Sequence, residues 1–120
     1  QGSVEAILGA FDAEAAKGSD QSEWAAATAK VIRTKSPTSL KLALAQMRFG
    51  AVHSFEACMA CEFRIVSRIV YGHDMYEGVR AVIIDKDNKP RWAPASLPEV
   101  SRDTVESYFA KLPQGELALA

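Results

Sequence analysis

Apolar residues return every three or four positions along most of this chain, and nowhere do they alternate with polar ones for long enough to make a half-buried strand. The first such stretch predicts a helix over residues 4–17. Ser3 stands at its N-cap, Ile7, Leu8 and Phe11 make its face, and Gly18 stops it. A second helix is expected from Asp20 to about Thr34, opened by a capping box of Asp20 and Glu23, with Trp24, Ala27 and Val31 near one face. Ser36 followed by Pro37 predicts a third start, because proline at the first helical position gives up an N–H that has no partner anyway. Leu40, Leu44 and Met47 carry that helix to Gly50.

Ser54 is expected to cap a longer helix reaching about Tyr71. Phe55, Cys58, Met59, Phe63, Val66 and Ile69 or Val70 are its expected core side. After Gly72, Asp74 and Glu77 have capping-box spacing and open a helix through Val79, Val82 and Ile83. Residues 85–90 read DKDNKP, a turn by composition. Residues 90–98 hold three prolines and predict an extended strap pinned by Trp92. Ser101 caps a last helix to Leu112, and residues 113–120 read as a frayed tail. The expectation is therefore all-α: about six helices plus an irregular proline-rich strap, in a single helical region over residues 1–120.

Composition narrows the functions. The chain has 120 residues, 48% of them hydrophobic, which is enough for one core and too few for two. Fourteen basic residues (14) against 15 acidic ones give a net charge of −1. No basic excess is present to displace counterions, so no nucleic-acid partner is expected, and no apolar run approaches the roughly 18 residues of a membrane span. Two cysteines make no disulfide framework. Gln1, Gly2 and Ser3 read equally as native sequence or as the remnant of a cleaved tag. Alanine richness and the lack of a visible targeting segment suggest a bacterial cytoplasm rather than a mitochondrial matrix.

Specific motifs carry more. The run His73-Asp74-Met75-Tyr76-Glu77-Gly78-Val79-Arg80-Ala81-Val82, then Ile84-Asp85-Lys86-Asp87, Pro90, Trp92 and Pro94, follows SPTSLK (Ser36 to Lys41) and Glu62-Phe63-Arg64. This pattern resembles the C-terminal helical part of the 3-hydroxyisobutyryl-CoA hydrolases, within the crotonase (enoyl-CoA hydratase/isomerase) superfamily. Agreement is good over residues 36–112 and looser over 1–35. The resemblance implies a parent that hydrolyses a 3-hydroxyacyl-CoA thioester in valine breakdown. It implies that an N-terminal core supplies the oxyanion hole and the acids that activate water, so no catalytic residue is carried over to these residues. Acyl-CoA enters as substrate and no cofactor is expected. The expected partners are that core, acyl-CoA through the parent, and a second copy of the chain. Enoyl-CoA hydration or isomerisation, and a stand-alone helical interaction module, remain as alternatives.

Individual residues add little chemistry. Cys58 and Cys61 form C-x-x-C, but inside a helix with no preceding strand, so packing is the expected role. A zinc site would need His53 and His73 to converge on that pair, which is not expected. Glu62, Asp74 and Glu77 are the tempting acids, of which Asp74 and Glu77 have a structural task as a capping box. Glu62 reads as a candidate for a helix-surface ion pair with Arg64 or Arg68. Arg80 reads as a partner for a helix C-terminus or for a neighbouring carboxylate. Trp24, Phe55 and Phe63 read as core. Lys86 reads as a solvated turn lysine or, by resemblance to crotonases with a basic residue after this turn, as a contact to CoA phosphate.

Overall fold

A computed structural model describes residues 2–119, and among them it contains helices and no strand. The six helices are α1 (Val4–Ala15), α2 (Ser22–Arg33), α3 (Pro37–Gly50), α4 (Phe55–Ile69), α5 (His73–Val79) and α6 (Arg102–Phe109). A π-helical turn, Arg80–Ile84, prolongs α5, and a short 3-10 turn, Leu97–Glu99, precedes α6. The all-α expectation holds.

Four serines start helices as expected. The hydroxyls of Ser3, Ser36, Ser54 and Ser101 accept from the backbone N–H three residues on, at 3.1, 3.2, 3.3 and 3.1 Å. Each satisfies one of the donors that a helix start leaves over. The two acidic capping boxes do not form. Helix α2 begins two residues after Asp20 with Gln21 at its N-cap, because the preceding turn is held by Ser19 and Ser22, whose hydroxyl donates to Glu14 O at 2.9 Å. Helix α5 begins at His73 with Gly72 as N-cap. Asp74 is already inside the helix, so its side chain is free for other partners.

Two small cores hold the helices together. Val4, Leu8 and Ala29 join α1 to α2, with Leu40, Leu44 and Leu97 against them. Leu42, Cys61 and Ile65 join α3 to α4, with Val105, Tyr108 and Phe109 of α6 closing over them. Burying one such leucine is worth about 2 kcal/mol. Helix α6 stops at Phe109, short of the expected Leu112. Two α4 arginines take its last carbonyls: Arg64 donates to Phe109 O at 3.1 Å, and Arg68 to Tyr108 O and Ala110 O at 3.1 and 2.8 Å. Arg64 also pairs with Glu116, which ties down the irregular tail. The candidate pairing of Glu62 with either arginine does not occur, because both are turned toward the end of α6.

Much apolar surface is left uncovered. Trp24 touches Phe11 edge-on, yet it is 58% exposed, and Phe55 and Phe63 are 73% and 38% exposed. None of the three is core. On α4 the buried side is Cys61 and Ile65, whereas Phe55, Phe63, Val66 and Val70 form an exposed stripe on another face. Beyond α5 the extra residue of the π turn rotates Val82, Ile83 and Ile84 outward and leaves Ala81 buried. The radius of gyration is 16.5 Å, against about 13.6 Å for a compact chain of this length. The accessible surface of 8091 Å² exceeds that of a compact monomer of this mass by on the order of 1,700 Å².

Candidate functional site

The head of α3, helix α5 and the strap come together although the sequence separates them widely. Ser36, which is 5% exposed, donates its hydroxyl to Asp74 Oδ2 at 2.5 Å while its oxygen caps α3. The other oxygen of Asp74 accepts from Ala93 N–H and meets His73 Nδ1, each at 2.9 Å. Burial works against ionisation of Asp74, but the donors from Ala93, Ser36 and His73 prevail and hold the carboxyl below its ordinary value. Trp92 donates its indole N–H to Thr34 O at 2.9 Å, and its ring lies over Gly78, where an added Cβ would meet it at 3.4 Å. The strap is therefore pinned by Trp92, as its prolines and tryptophan suggested. Lys41 closes the far end of the same motif, reaching Val100 O at 3.0 Å and Glu5 at 3.1 Å.

Arg80 is the second junction. Its guanidinium grips Glu77 with two hydrogen bonds of 2.9 and 2.6 Å, and also reaches Asp85 and Asp87 at 2.8 and 2.9 Å. Of the two roles expected for Arg80, the neighbouring carboxylates are the one taken. Arg91 N–H adds 2.8 Å to Glu77 Oε1. The Arg80 fork and then this N–H bring the Glu77 carboxyl down to about 2, and Glu77, Asp85 and Asp87 together push the guanidinium pKa upward. Asp74 and Glu77 thus act in tertiary contacts, holding the strap, and not as a local capping box.

Ser36, His73, Asp74, Trp92 and Ala93 border a cleft of about 420 Å³ between α3, α5 and the strap. Its polar side is Lys35, Ser36, Thr38, Ser39 and His73; its apolar side includes Ile83 and Trp92. The Ser36 hydroxyl donates to Asp74, whose carboxylate is also held by Ala93 N–H and His73. What this arrangement does chemically is fix geometry.

Lys86 lies exposed on the DKDN turn, in a left-handed conformation with φ of 54°, and Asn88 shares it at 53°. Among the described residues its ammonium forms no ion pair. Cys58 is half-buried and Cys61 buried, and burial pushes the Cys61 thiol up, away from the reactive thiolate. His53 stacks on Phe49 at 3.7 Å, whereas His73 is engaged with Asp74, so the two histidines belong to different neighbourhoods.

The enoyl-CoA hydratase/isomerase family model matches residues 1–109, nearly the whole chain and both leading helices. The chain belongs to the enoyl-CoA hydratase/isomerase family. Within that family it is 47% identical over 100 residues to the mitochondrial 3-hydroxyisobutyryl-CoA hydrolase of Gallus gallus, covering 83% of this chain and 26% of that one. It is 40% identical over 120 residues to 3-hydroxyisobutyryl-CoA hydrolase-like protein 5 of Arabidopsis thaliana, covering 98% of this chain and 30% of that one. The fold superposes on a carnitinyl-CoA dehydratase from Mycobacterium thermoresistibile with a TM-score of 0.79 and 32% identity, over 94% of this chain and 31% of the other. Both the resemblance to the hydrolases and the crotonase-type helical fold are thereby confirmed. The family member described here spans less than a third of each of these relatives. The expected bacterial cytoplasmic setting is overturned, since the similar hydrolases of Gallus gallus, Xenopus laevis and Mus musculus are named as mitochondrial. Alanine richness reflects helix content and carries no compartment.

Ser36, Trp92 and the strap were legible in the sequence; the Asp74 junction and the arginine caps from α4 were not. Spacing from Ser36 to Asp74 has no local signature. The pairing of SPTSLK with the HD motif was the one available clue that the two segments touch.

Proposed function

We propose that this chain is the helical region of an acyl-CoA thioester hydrolase that acts on a 3-hydroxyacyl-CoA, 3-hydroxyisobutyryl-CoA in valine breakdown being the substrate of choice. It acts as one helical unit and covers a crotonase core that carries the chemistry. The observation that supports this reading most is the uncovered apolar surface: Phe55, Phe63, Val66 and Val70 on one side of α4, and Val82 to Ile84 after α5. An accessible surface on the order of 1,700 Å² beyond that of a compact monomer is of the size that stable protein interfaces remove from water. Covering the core shields the reacting thioester from bulk water and strengthens every polar interaction beside it. Contacts between copies of the whole protein are a further use for such surface. Lys86, projecting from the turn after the EGVRA segment, is the candidate for contact with a CoA phosphate.

The test is reconstitution. The 120-residue chain alone releases no thiol from 3-hydroxyisobutyryl-CoA above buffer, whereas the chain joined to a crotonase core of the hydrolase type does. Turnover by the chain alone would place the active site within these residues and refute the reading. A hydratase-type reaction is the second reading, favoured by the likeness to the carnitinyl-CoA dehydratase. Hydration of an enoyl-CoA in the same reconstituted sample, with no thiol released, would select it.

A further inference from the structure

The turn that carries Lys86 is held by the Arg80 guanidinium together with two backbone N–H bonds. Lys86 and Asn88 both adopt positive φ, a conformation that asparagine tolerates and lysine rarely adopts. Such a turn opens unless something outside it holds it. Here Arg80 bonds the carboxylates on both sides of Lys86, Asp85 at 2.8 Å and Asp87 at 2.9 Å, and also reaches Lys89 O at 3.3 Å. The turn is clipped again by Asn88 N–H to Ala81 O at 2.9 Å, and by Lys89 N–H to Asp87 Oδ1 at 2.9 Å. Glu77 fixes the guanidinium from behind with its own pair of hydrogen bonds. The acids that flank Lys86 in sequence are thus drawn to Arg80, away from the ammonium.

We infer that Arg80 is a positioning residue for ligand binding: by gathering Asp85 and Asp87 it holds the turn from which Lys86 meets a phosphate of the CoA thioester. This rests on the proposed contact between Lys86 and CoA phosphate. Arg80 itself does not touch the ligand. A lysine in its place cannot grip three carboxylates with one planar fork.

The experiment uses the complete enzyme, catalytic core included, and reads KM and kcat for the acyl-CoA. Lys86→Ala and Arg80→Gln are each expected to raise KM by roughly three- to fivefold, the scale of one exposed ion pair, with kcat unchanged. The double variant is expected to do no more than the larger single one, because both act through one contact. Asp87→Asn is the independent arm, since it loosens the turn and leaves the Arg80–Glu77 pair on α5 intact. Geometry predicts that it raises KM; mere removal of a negative charge beside Lys86 would lower it. A lowered KM for Asp87→Asn, additive effects in the double variant, or a fall in kcat at constant KM for Arg80→Gln overturns the positioning role. Lys86→Ala with unchanged KM overturns the phosphate contact itself, and with it the inference.

Discussion

Replacing Ser36 by alanine removes one oxygen that serves two structures. It caps α3 through Ser39 N–H at 3.2 Å and ties α3 to α5 through Asp74 at 2.5 Å. Loss of an N-cap costs about 1 kcal/mol. Loss of a hydrogen bond to a carboxylate costs about 1.5–3 kcal/mol, and the lower end applies because Asp74 keeps Ala93 N–H and His73. Together they come to about 2.5 kcal/mol. Ser54→Ala is the matched control. Ser54 caps α4 at 3.3 Å and is exposed, so it loses the cap alone, about 1 kcal/mol. Urea unfolding followed by helical circular dichroism reads both. Ser36→Ala should lower the midpoint by about 1–2 M, at least twice the shift for Ser54→Ala. Combining Ser36→Ala with Asp74→Ala should show a coupling of about 1 kcal/mol or more. Equal shifts for the two serines, or simple additivity of Ser36→Ala and Asp74→Ala, would show that the two motifs touch without supporting each other.

Three further outcomes follow from the same geometry. Glu77 has a folded-state pKa of about 2 against an ordinary 4.5, and Asp74 is also lowered, so their stabilisation is complete above pH 4.5 and is lost as pH falls toward about 2. In a Trp24→Phe background the emission of Trp92 should shift to the red across that window as the strap lifts; a constant spectrum would show that these carboxylates do not hold it. Phe63→Glu, on the exposed side of α4, should convert self-association of the isolated chain into monomer on size exclusion, whereas a wild-type chain that already runs as a clean monomer at high concentration removes the docking face. Arg68→Met keeps the bulk but uncaps the carbonyls of Tyr108 and Ala110, and should destabilise α6 by about 1–2 kcal/mol, seen as faster amide exchange in α6 with α1 unchanged.

Local features of the chain were legible in its sequence. A serine before an apolar run caps a helix whatever surrounds it, so Ser3, Ser36, Ser54 and Ser101 were readable in advance. Trp92 was readable because prolines on either side leave few conformations for the strap. The face of α4 was not. That helix has two apolar sides, Cys61 with Ile65 and Phe55 with Phe63, and periodicity cannot say which one the rest of this chain covers. Asp74 and Glu77 failed for a related reason. Their three-residue spacing suits a capping box, and it equally lets two acids on successive turns hold a strap from far along the chain. The π turn had no advance signal, since its one extra residue shows only in the Asp85 N–H to Arg80 O bond of 2.8 Å.

The molecule measures 51 × 38 × 26 Å, and a helix with its side chains is about 10–12 Å thick, so across the short dimension it is little more than two helices deep. A slab of that depth has almost no interior of its own. Positions such as Phe55 or Ile84 would score as tolerant in any substitution scan performed on the isolated chain, and as intolerant once the other face is occupied. For this chain, a tally of harmless changes is a property of the company it keeps, and the difference between two such scans would outline the contact surface residue by residue.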